Sequence, residues 1–393
     1  MKVRQICMMV LLGLGVIPAM QAQTFDKLWK EVEQAEKKSL PKTVIKLTDE
    51  IYQKGEKERN SAQMLKAYMW RMKTQDILTP DSFYVGLRDL EQWAKQTEQP
   101  MDRAILHSLI AEFYANYAAD NQWQLRQRTE IVGETPSADI REWTANMFVE
   151  KVRTNVKEAL ADSLLLLKTS SLNYIPFVEL GETSEYYHHD MYHLLASRAI
   201  RALNQIERLE RGSFNGITAS PVKQDIINIY ERMTDAYETV GLKEGYVLTM
   251  LQYLEWKRGN DNKLQPVQLK KGLGEWTADT YNAALDELKR QFKSEPICAE
   301  VYLAQVRYAV EKMQQVNALQ LCDEAIRLYP GYRRINALKN LREEILAPFL
   351  NVSAVSQAFP NEEIKLNVGH KNLDGFTVRL YQAKKLVKEQ HYS

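Results

Sequence analysis

The chain has 393 residues, with 52 lysines and arginines against 51 aspartates and glutamates and a formal net charge of +1. This near-neutral balance provides no long-range field that would attract nucleic acid or an anionic membrane, so neither partner is expected. The length is sufficient for two or more domains.

The first 22 residues have the features of a secretory signal peptide. Lys2 and Arg4 form a short positive region, residues 6–16 (ICMMVLLGLGV) form an apolar run, and Ala22 supplies a small residue before the expected cleavage point. The apolar run is too short for a transmembrane helix, and no second apolar run of about 18 residues follows. The sequence therefore predicts that residues 1–22 are removed, and that the mature protein is exported, soluble and without a transmembrane segment.

Residues 23–346 are predicted to be helical almost throughout, because apolar residues recur at intervals of three and four. The first two stripes, residues 25–35 and 44–52, are separated by Pro41, which indicates two short antiparallel helices. Further helices are predicted over residues 61–77, 82–96, 102–119 and from about 137 past 161.

The last helix of this series follows a polar loop through residues 133–136, and Ser137 or Asp139 is expected to cap it. Helical arrays of this kind bury their apolar faces on neighbouring helices. Large aromatic side chains are therefore expected to pack between helices rather than to form a binding cage. The tryptophans concerned are Trp29, Trp70, Trp93, Trp143 and Trp256.

The clearest repeat covers residues 299–332 and matches the tetratricopeptide pattern. It has an aromatic residue at Tyr302, small residues at Ala318 and Ala325, and Pro330 at its close. One good repeat among more degenerate helix pairs predicts a tetratricopeptide-like α-solenoid or an irregular helical array.

Two cysteines remain after the predicted cleavage, Cys298 and Cys322. Cys322 lies one turn before Ala325, where a small buried side chain fits, and a free cysteine fills that role well. Pro296 is expected to open the helix that contains Cys298, and Glu300 favours its positive N-terminal end. Whether the two cysteines pair is left open, because their reach depends on the geometry of the repeat.

The run from His189 to His193, HDMYH, differs from the HExxH zinc signature by an aspartate in place of the glutamate. On a helix, the two histidines would share a face one turn apart, as two zinc-binding imidazoles must. Asp190 is a methylene shorter than the glutamate base. A third ligand is also missing, since Glu207 and Glu210 fall about 20 to 25 Å further along the same predicted helix.

The alternative interpretation of this run is a helix-packing face. Ala196, Ile200 and Leu203 continue the stripe on which His189 and His193 lie. Because a catalytic zinc site takes three protein ligands, the packing interpretation is favoured over the metal site.

After Leu346 the pattern changes from helical to extended. Pro348 breaks the helix, and two alternating segments follow on either side of a polar turn that ends in Asp374-Gly375. The alternating apolar residues are Ile364, Leu366 and Val368 in the first segment, and Phe376, Val378 and Leu380 in the second. The pattern predicts that these two strands pair as a hairpin with one buried face. A β-sandwich needs several more strands, so residues 347–393 are expected to form only part of one.

Two stretches of the chain resemble the N-terminal region of bacterial alpha-2-macroglobulin family proteins of the Bacteroidetes type. In YYHHDMYHLLASRAI, residues 186–200, a tyrosine and an aspartate precede a Leu-Ala-x-Arg-Ala helix. The matching residues are Tyr187, Asp190, Leu195, Ala196, Arg198 and Ala199. The second stretch, residues 358–382, is similar to the opening of the first macroglobulin domain. Its turn is Asn372-Leu373-Asp374, and its second strand contains Val378, Arg379, Leu380 and Tyr381.

This resemblance implies a protein of the periplasm or cell surface of a Gram-negative bacterium. Family members are broad-range protease inhibitors that offer a bait segment, and many use a Cys-x-Glu-Gln thioester. The run from Cys298 to Val301 comes near that motif, but Val301 replaces the glutamine that the thioester requires. No functional residue of the family is therefore carried over to this chain.

The sequence thus predicts a mainly α protein. Residues 23–346 form a tetratricopeptide-like array, and residues 347–393 form the start of a macroglobulin-type β domain that is truncated. We expect a non-catalytic part of a protease-inhibiting protein, with protein partners, proteases among them through the full-length protein, and with no catalytic, cofactor or metal residue. The alternatives are a free-standing scaffold that binds envelope proteins or glycans and, less favoured, a zinc hydrolase that uses His189 and His193.

Overall fold

The computed structural model describes residues 17–79, 83–129, 137–181, 189–210, 220–260, 280–354, 363, 365–382 and 385–392. The protein is mostly helical, with a small antiparallel β part at its C-terminal end. It divides into two compact units, residues 1–249 and 250–393. Within the described ranges, no helix has both the length and the apolar character that a membrane crossing requires.

The helices are numbered here in chain order. The first ten are α1 Ile17–Lys37, α2 Pro41–Glu58, α3 Ser61–Leu78, α4 Phe83–Gln96, α5 Pro100–Asp120, α6 Gln122–Gln127, α7 Ala145–Ala159, α8 Ser163–Lys168, α9 Met191–Glu207 and α10 Pro221–Thr239. The remaining helices are α11 Lys243–Asn260, α12 Tyr281–Gln291, α13 Cys298–Glu311, α14 Gln315–Leu328 and α15 Ile335–Leu346. Two short 3₁₀ helices, Ile140–Glu142 and Ser171–Tyr174, precede α7 and follow α8.

The first five helices lie where the apolar stripes predicted them. α1 ends at Lys37, and Pro41 begins α2, where proline fits because the first N–H groups of a helix have no helical partner. α3, α4 and α5 begin and end within two residues of the predicted bounds. Residues 1–16 of the predicted signal peptide and the predicted loop at 133–136 lie outside the described residues, and the predicted cleavage point after Ala22 falls within α1.

The prediction of one long helix from about residue 137 past 161 is wrong. The chain forms a 3₁₀ turn capped by Asp139 and an extended stretch at Trp143 and Thr144, and α7 begins only at Ala145. The indole Nε1 of Trp143 donates to the carbonyl of Ser137 at 2.7 Å, which folds the chain back before the helix starts. Asp139 therefore caps the short turn and not α7.

The core of the first unit lies between helices that neighbour each other in space. α1 packs on α2, α2 on α3, α5 on α4, α7 and α9, and α9 on α10. Trp29 and Trp143 are buried, as the packing interpretation predicted, and Trp70, Trp93 and Trp256 are partly buried. The rings of Trp29 and Trp70 meet edge to face at 5.8 Å between centroids.

In the second unit, α12, α13, α14 and α15 pack in succession. Tyr302, Ala318 and Ala325 of the predicted repeat are buried between them. Cys298 and Cys322 are buried free thiols, and burial raises the pKa of Cys322 to about 11.

Within the described ranges, four strands form two separate antiparallel pairs, so the predicted hairpin pairing is wrong. β1 (Phe349–Ala354) pairs with β2 (Leu366–Lys371), and β3 (Phe376–Gln382) pairs with β4 (Lys385–Tyr392). The side chains of Lys371 and Asn372 donate to the carbonyls of Glu344 and Ile345 at the end of α15, which holds β2 beside the start of β1. Leu366 is exposed and Val368 is only partly buried, so the predicted buried face is wrong for the first of the two predicted strands. Ile364 lies outside the described residues.

Candidate functional site

His189 and His193 do not lie on one helix, as the prediction required. Asp190 is the N-cap of α9, so His189 lies before the helix and only His193 lies within it. The two imidazoles therefore do not share one helix face, and the prediction that Glu210 continues the same helix is also wrong, because α9 ends at Glu207. Among the described residues, no group of three metal-binding side chains is found.

Asp190 has a structural environment that the sequence did not reveal. Its Oδ1 accepts the backbone N–H of His193 at 2.7 Å, which caps α9. The hydroxyl of Tyr237 on α10 donates to both carboxylate oxygens, at 3.2 and 3.0 Å. Burial, followed by the charge of Asp190, raises the pKa of Tyr237. The carboxylate thus joins two helices from within the protein.

The chain on either side of residues 172–188 is held together by backbone hydrogen bonds. The N–H and the hydroxyl of Ser171 both donate to the carbonyl of His189, at 2.6 and 3.0 Å, and the N–H of Met191 donates to Thr169 at 2.9 Å. These bonds fix the point at which the chain enters α9.

A second buried carboxylate, Asp102 near the start of α5, anchors the segment that follows Ser171. The Tyr174 hydroxyl donates to Asp102 Oδ1 at 2.8 Å, and the Ser61 hydroxyl donates to Oδ2. Burial, followed by the charge of Asp102, raises the pKa of Tyr174. The chain after Tyr174 is thereby held against α3 and α5.

A cavity of about 290 Å³ lies where this segment meets three helices. Each helix contributes residues spaced three and four apart, which share one helix face. These residues are Lys66, Met69 and Trp70 of α3, Ile105, Ser108 and Leu109 of α5, and Met191, Leu194, Leu195 and Arg198 of α9. Residues 176–179 form the fourth wall. A largely apolar cavity with a few polar groups is the usual form of a small-molecule site.

The cation of Lys66 lies between two tryptophans at the cavity. Its Nζ is 4.6 Å from the centroid of the Trp29 ring and 5.5 Å from that of Trp70. The side chain is only 19% exposed, whereas Glu179, whose carboxylate lies 4.0 Å from Nζ, is 76% exposed. Such a long contact to a solvated carboxylate contributes little, so the two aromatic faces stabilise this cation more than Glu179 does.

The second cation of the cavity, Arg198, is already engaged. Its guanidinium donates to Glu112 on α5 in a close ion pair. Burial lowers the pKa of Arg198, and the Glu112 carboxylate acts in the opposite direction. Arg198 therefore ties α9 to α5, and Lys66 is the cavity cation with the weaker carboxylate contact.

Two polar atoms of cavity-lining residues are shielded from water without a hydrogen-bond partner among the described residues. They are the hydroxyl of Ser108, a residue 5% exposed, and the indole Nε1 of Trp70. A buried unpaired polar group costs about 1 to 3 kcal/mol, so each such group needs an explanation.

A second cavity, of about 330 Å³, lies between α7 and α10 and is strongly charged. Its central cation, Arg153, is bound by Asp225 at 2.6 Å and by Glu150 at 2.8 Å. Both carboxylates that line this cavity are thus bound to Arg153, and the ion pair with Asp225 links the two helices as a structural contact.

Sequence reasoning missed Lys66, Ser108 and Trp70 as members of one site. The available signal was a polar residue within the apolar face of a helix, as with Ser108 between Ile105 and Leu109. This signal was not sufficient to predict the site, because the three helix faces that form it are far apart in sequence. Neither a family model nor a curated protein matches the sequence.

Proposed function

We propose that this chain is a non-catalytic, exported protein-binding module that forms the N-terminal part of an alpha-2-macroglobulin-like protein. The observation that carries the proposal is the role of Asp190. Its carboxylate is committed to the N-terminus of α9 and to Tyr237, so it serves as a packing and capping group rather than as a base. Leu195, Ala196 and Ala199 of the same matching stretch are buried.

The second matching stretch supports the same proposal. Asn372 adopts a left-handed backbone with φ 52° at the expected turn, and Val378 to Tyr381 lie in β3. As with Asp190, the matching residues have structural roles. The proposal places the protein in the periplasm or at the cell surface of a Gram-negative bacterium, with proteases as partners of the full-length protein.

The test is the reading frame of the gene beyond the Ser393 codon, followed by a protease assay. We expect further strand-rich domains with a bait-like segment, and we expect the complete product, but not residues 23–393 alone, to inhibit proteases of different specificity. A complete product without such domains, or without effect on any of the proteases, would overturn the macroglobulin proposal.

A second candidate function is a free-standing tetratricopeptide-like scaffold for envelope proteins or glycans. It is favoured by the pair α13 and α14, in which Tyr302, Ala318 and Ala325 are buried and Pro330 follows the second helix. A stop codon directly after Ser393 would favour this candidate.

The zinc hydrolase remains the least favoured alternative, because His189 precedes α9. Metal analysis of the purified protein tests it directly. Stoichiometric zinc that is lost when His189 and His193 are both changed to alanine would establish a metal site.

A further inference from the structure

We infer that the cavity between α3, α5 and α9 binds a small monocarboxylate with an apolar chain. This inference rests on the cavity alone and is independent of the proposed function. The apolar walls of the cavity define the chain of the ligand, and the polar groups define its carboxylate.

The apolar part follows from the lining. Met69 of α3, Ile105 and Leu109 of α5, and Leu194 and Leu195 of α9 surround the cavity. The volume of about 290 Å³ is near the lower limit of about 300 Å³ for ligand cavities, which fits a short aliphatic chain or a single ring.

The anionic part follows from Lys66. The side chain of Lys66 is 19% exposed, its Nζ lies over the rings of Trp29 and Trp70, and its carboxylate neighbour among the described residues, Glu179, is 4.0 Å away and largely solvated. A partly buried cation without a close counter-ion favours an anion in the adjoining space, because screening by water is weaker there than in bulk solvent.

The form of the anion follows from the single charge of Lys66 and from a donor beside it. The hydroxyl of Ser108 has no partner among the described residues; it is closed off from the cavity, and it reaches an acceptor there by rotation of the side chain. A carboxylate has two acceptor oxygens and can accept from several donors. A neutral alcohol would satisfy a donor but would leave Lys66 with only the distant carboxylate of Glu179 as a counter-ion.

The experiment is calorimetric titration of the purified mature chain with octanoate, 1-octanol and octylamine. These probes share an apolar chain and differ in charge. We expect binding of octanoate at millimolar concentrations or below, weaker binding of octanol, and no binding of octylamine. Absence of octanoate binding, or equal binding of octanol, would overturn the inference.

Three variants locate the site. Lys66→Met keeps the apolar stem and should weaken octanoate binding by about tenfold or more, as expected for loss of a charged partner. Ser108→Ala should weaken it by about threefold to tenfold. Leu194→Trp, at a partly buried lining position, should fill the cavity and abolish binding.

Lys73→Met is the matched control. Lys73 lies on the same helix with its Nζ 5.2 Å from the Trp70 ring centroid, but its side chain is 65% exposed and it is not a lining residue of the cavity. Binding of octanoate by this variant should equal that of the unmodified chain. If Lys66→Met does not fold, as judged by circular dichroism, Leu194→Trp and the comparison of octanoate with octylamine decide the question.

Discussion

The hydroxyl of Tyr237 donates to both carboxylate oxygens of Asp190, and the same carboxylate caps the first turn of α9. A single buried side chain thus satisfies the N-terminus of one helix and the only polar atom of a tyrosine side chain on another. Replacement of Asp190 removes both the cap of α9 and the acceptor of the buried Tyr237 hydroxyl, whereas replacement of Tyr237 leaves the carboxylate with the N–H of His193 as its donor.

Asp190→Ala should therefore lower the free energy of unfolding by about 2 to 4 kcal/mol, the sum of a lost N-cap and of a carboxylate acceptor lost to a buried hydroxyl. Urea unfolding followed by circular dichroism measures the change. Asp190→Asn is the control, because asparagine also caps helices, and it should cost less. If the alanine and asparagine variants were both as stable as the unmodified chain, Asp190 would not stabilise the fold by capping α9 and binding Tyr237.

Tyr174→Phe should release the segment that forms the fourth wall of the cavity. It removes the hydrogen bond to Asp102 at a cost of about 0.5 to 1.5 kcal/mol, while Ser61 still occupies the other carboxylate oxygen. Faster amide hydrogen exchange in residues 171–179 is the expected result. Tyr308→Phe, in the second unit, should leave exchange in this segment unchanged; the same acceleration there would point to a general effect.

Glu300 should be the most sensitive polar residue of α13. It is 6% exposed and accepts from the Tyr332 hydroxyl and from the Arg334 guanidinium, each at 3.0 Å. Glu300→Ala removes the carboxylate that accepts from a mostly buried guanidinium and from a buried hydroxyl, so we expect the free energy of unfolding in urea to fall by about 2 to 4 kcal/mol. Glu311→Ala, which removes an exposed partner of Arg258, should cost less than about 1 kcal/mol.

Alkaline pH should destabilise the fold through its buried tyrosines. Burial raises the pKa of Tyr230 to about 12 from an ordinary value of 10.0. As the pH rises, the Tyr230 hydroxyl therefore loses its proton in the unfolded state before it does so in the folded state. The contribution of Tyr230 to the free energy of unfolding is complete below pH 10, and it is lost as the pH rises towards 12, by at most about 1.4 kcal/mol per pH unit. Urea midpoints between pH 8 and 11 should fall less steeply in Tyr230→Phe than in the unmodified chain, and identical slopes would contradict this assignment.

Cys298 and Cys322 should react slowly with iodoacetamide in the folded protein at pH 8. Both thiols are buried, and burial raises the pKa of each, so little reactive thiolate is present. Mass spectrometry should find both sites labelled after unfolding in urea under non-reducing conditions. A disulfide-linked peptide, or rapid labelling of the folded chain, would be inconsistent with these thiol environments.

The sequence predicted those elements whose signal is local. The stripes of residues 25–35 and 44–52, together with Pro41, were sufficient to place α1 and α2, since each helix buries a face of period 3.6. The start of α7 was misplaced, because a hydrogen bond between Trp143 and Ser137 replaces the first turns of the expected helix. No local pattern encodes that bond.

Strand pairing and the cavity depend on contacts between distant residues, and there prediction failed. Val368 pairs with Val352 of β1, a strand that begins directly after Pro348 and was not predicted. The prediction had instead paired Val368 with the strand that follows it in sequence. The spacing of Lys66 and Trp70 is visible in the sequence, as is that of Leu194 and Arg198. Which of these helix faces meet is determined by tertiary packing alone.

The cavity is part of the packed core, because helix α9 contributes to both. Leu195 of α9 lines the cavity and is only 2% exposed, and Arg198 of the same helix forms an ion pair with Glu112 of α5. Any molecule that occupies the cavity therefore stabilises the folded state by mass action, by about 2.7 kcal/mol at a concentration one hundred times its dissociation constant. Small metabolites can accordingly be screened for binding by the rise in melting temperature that each one causes, without an assay of function.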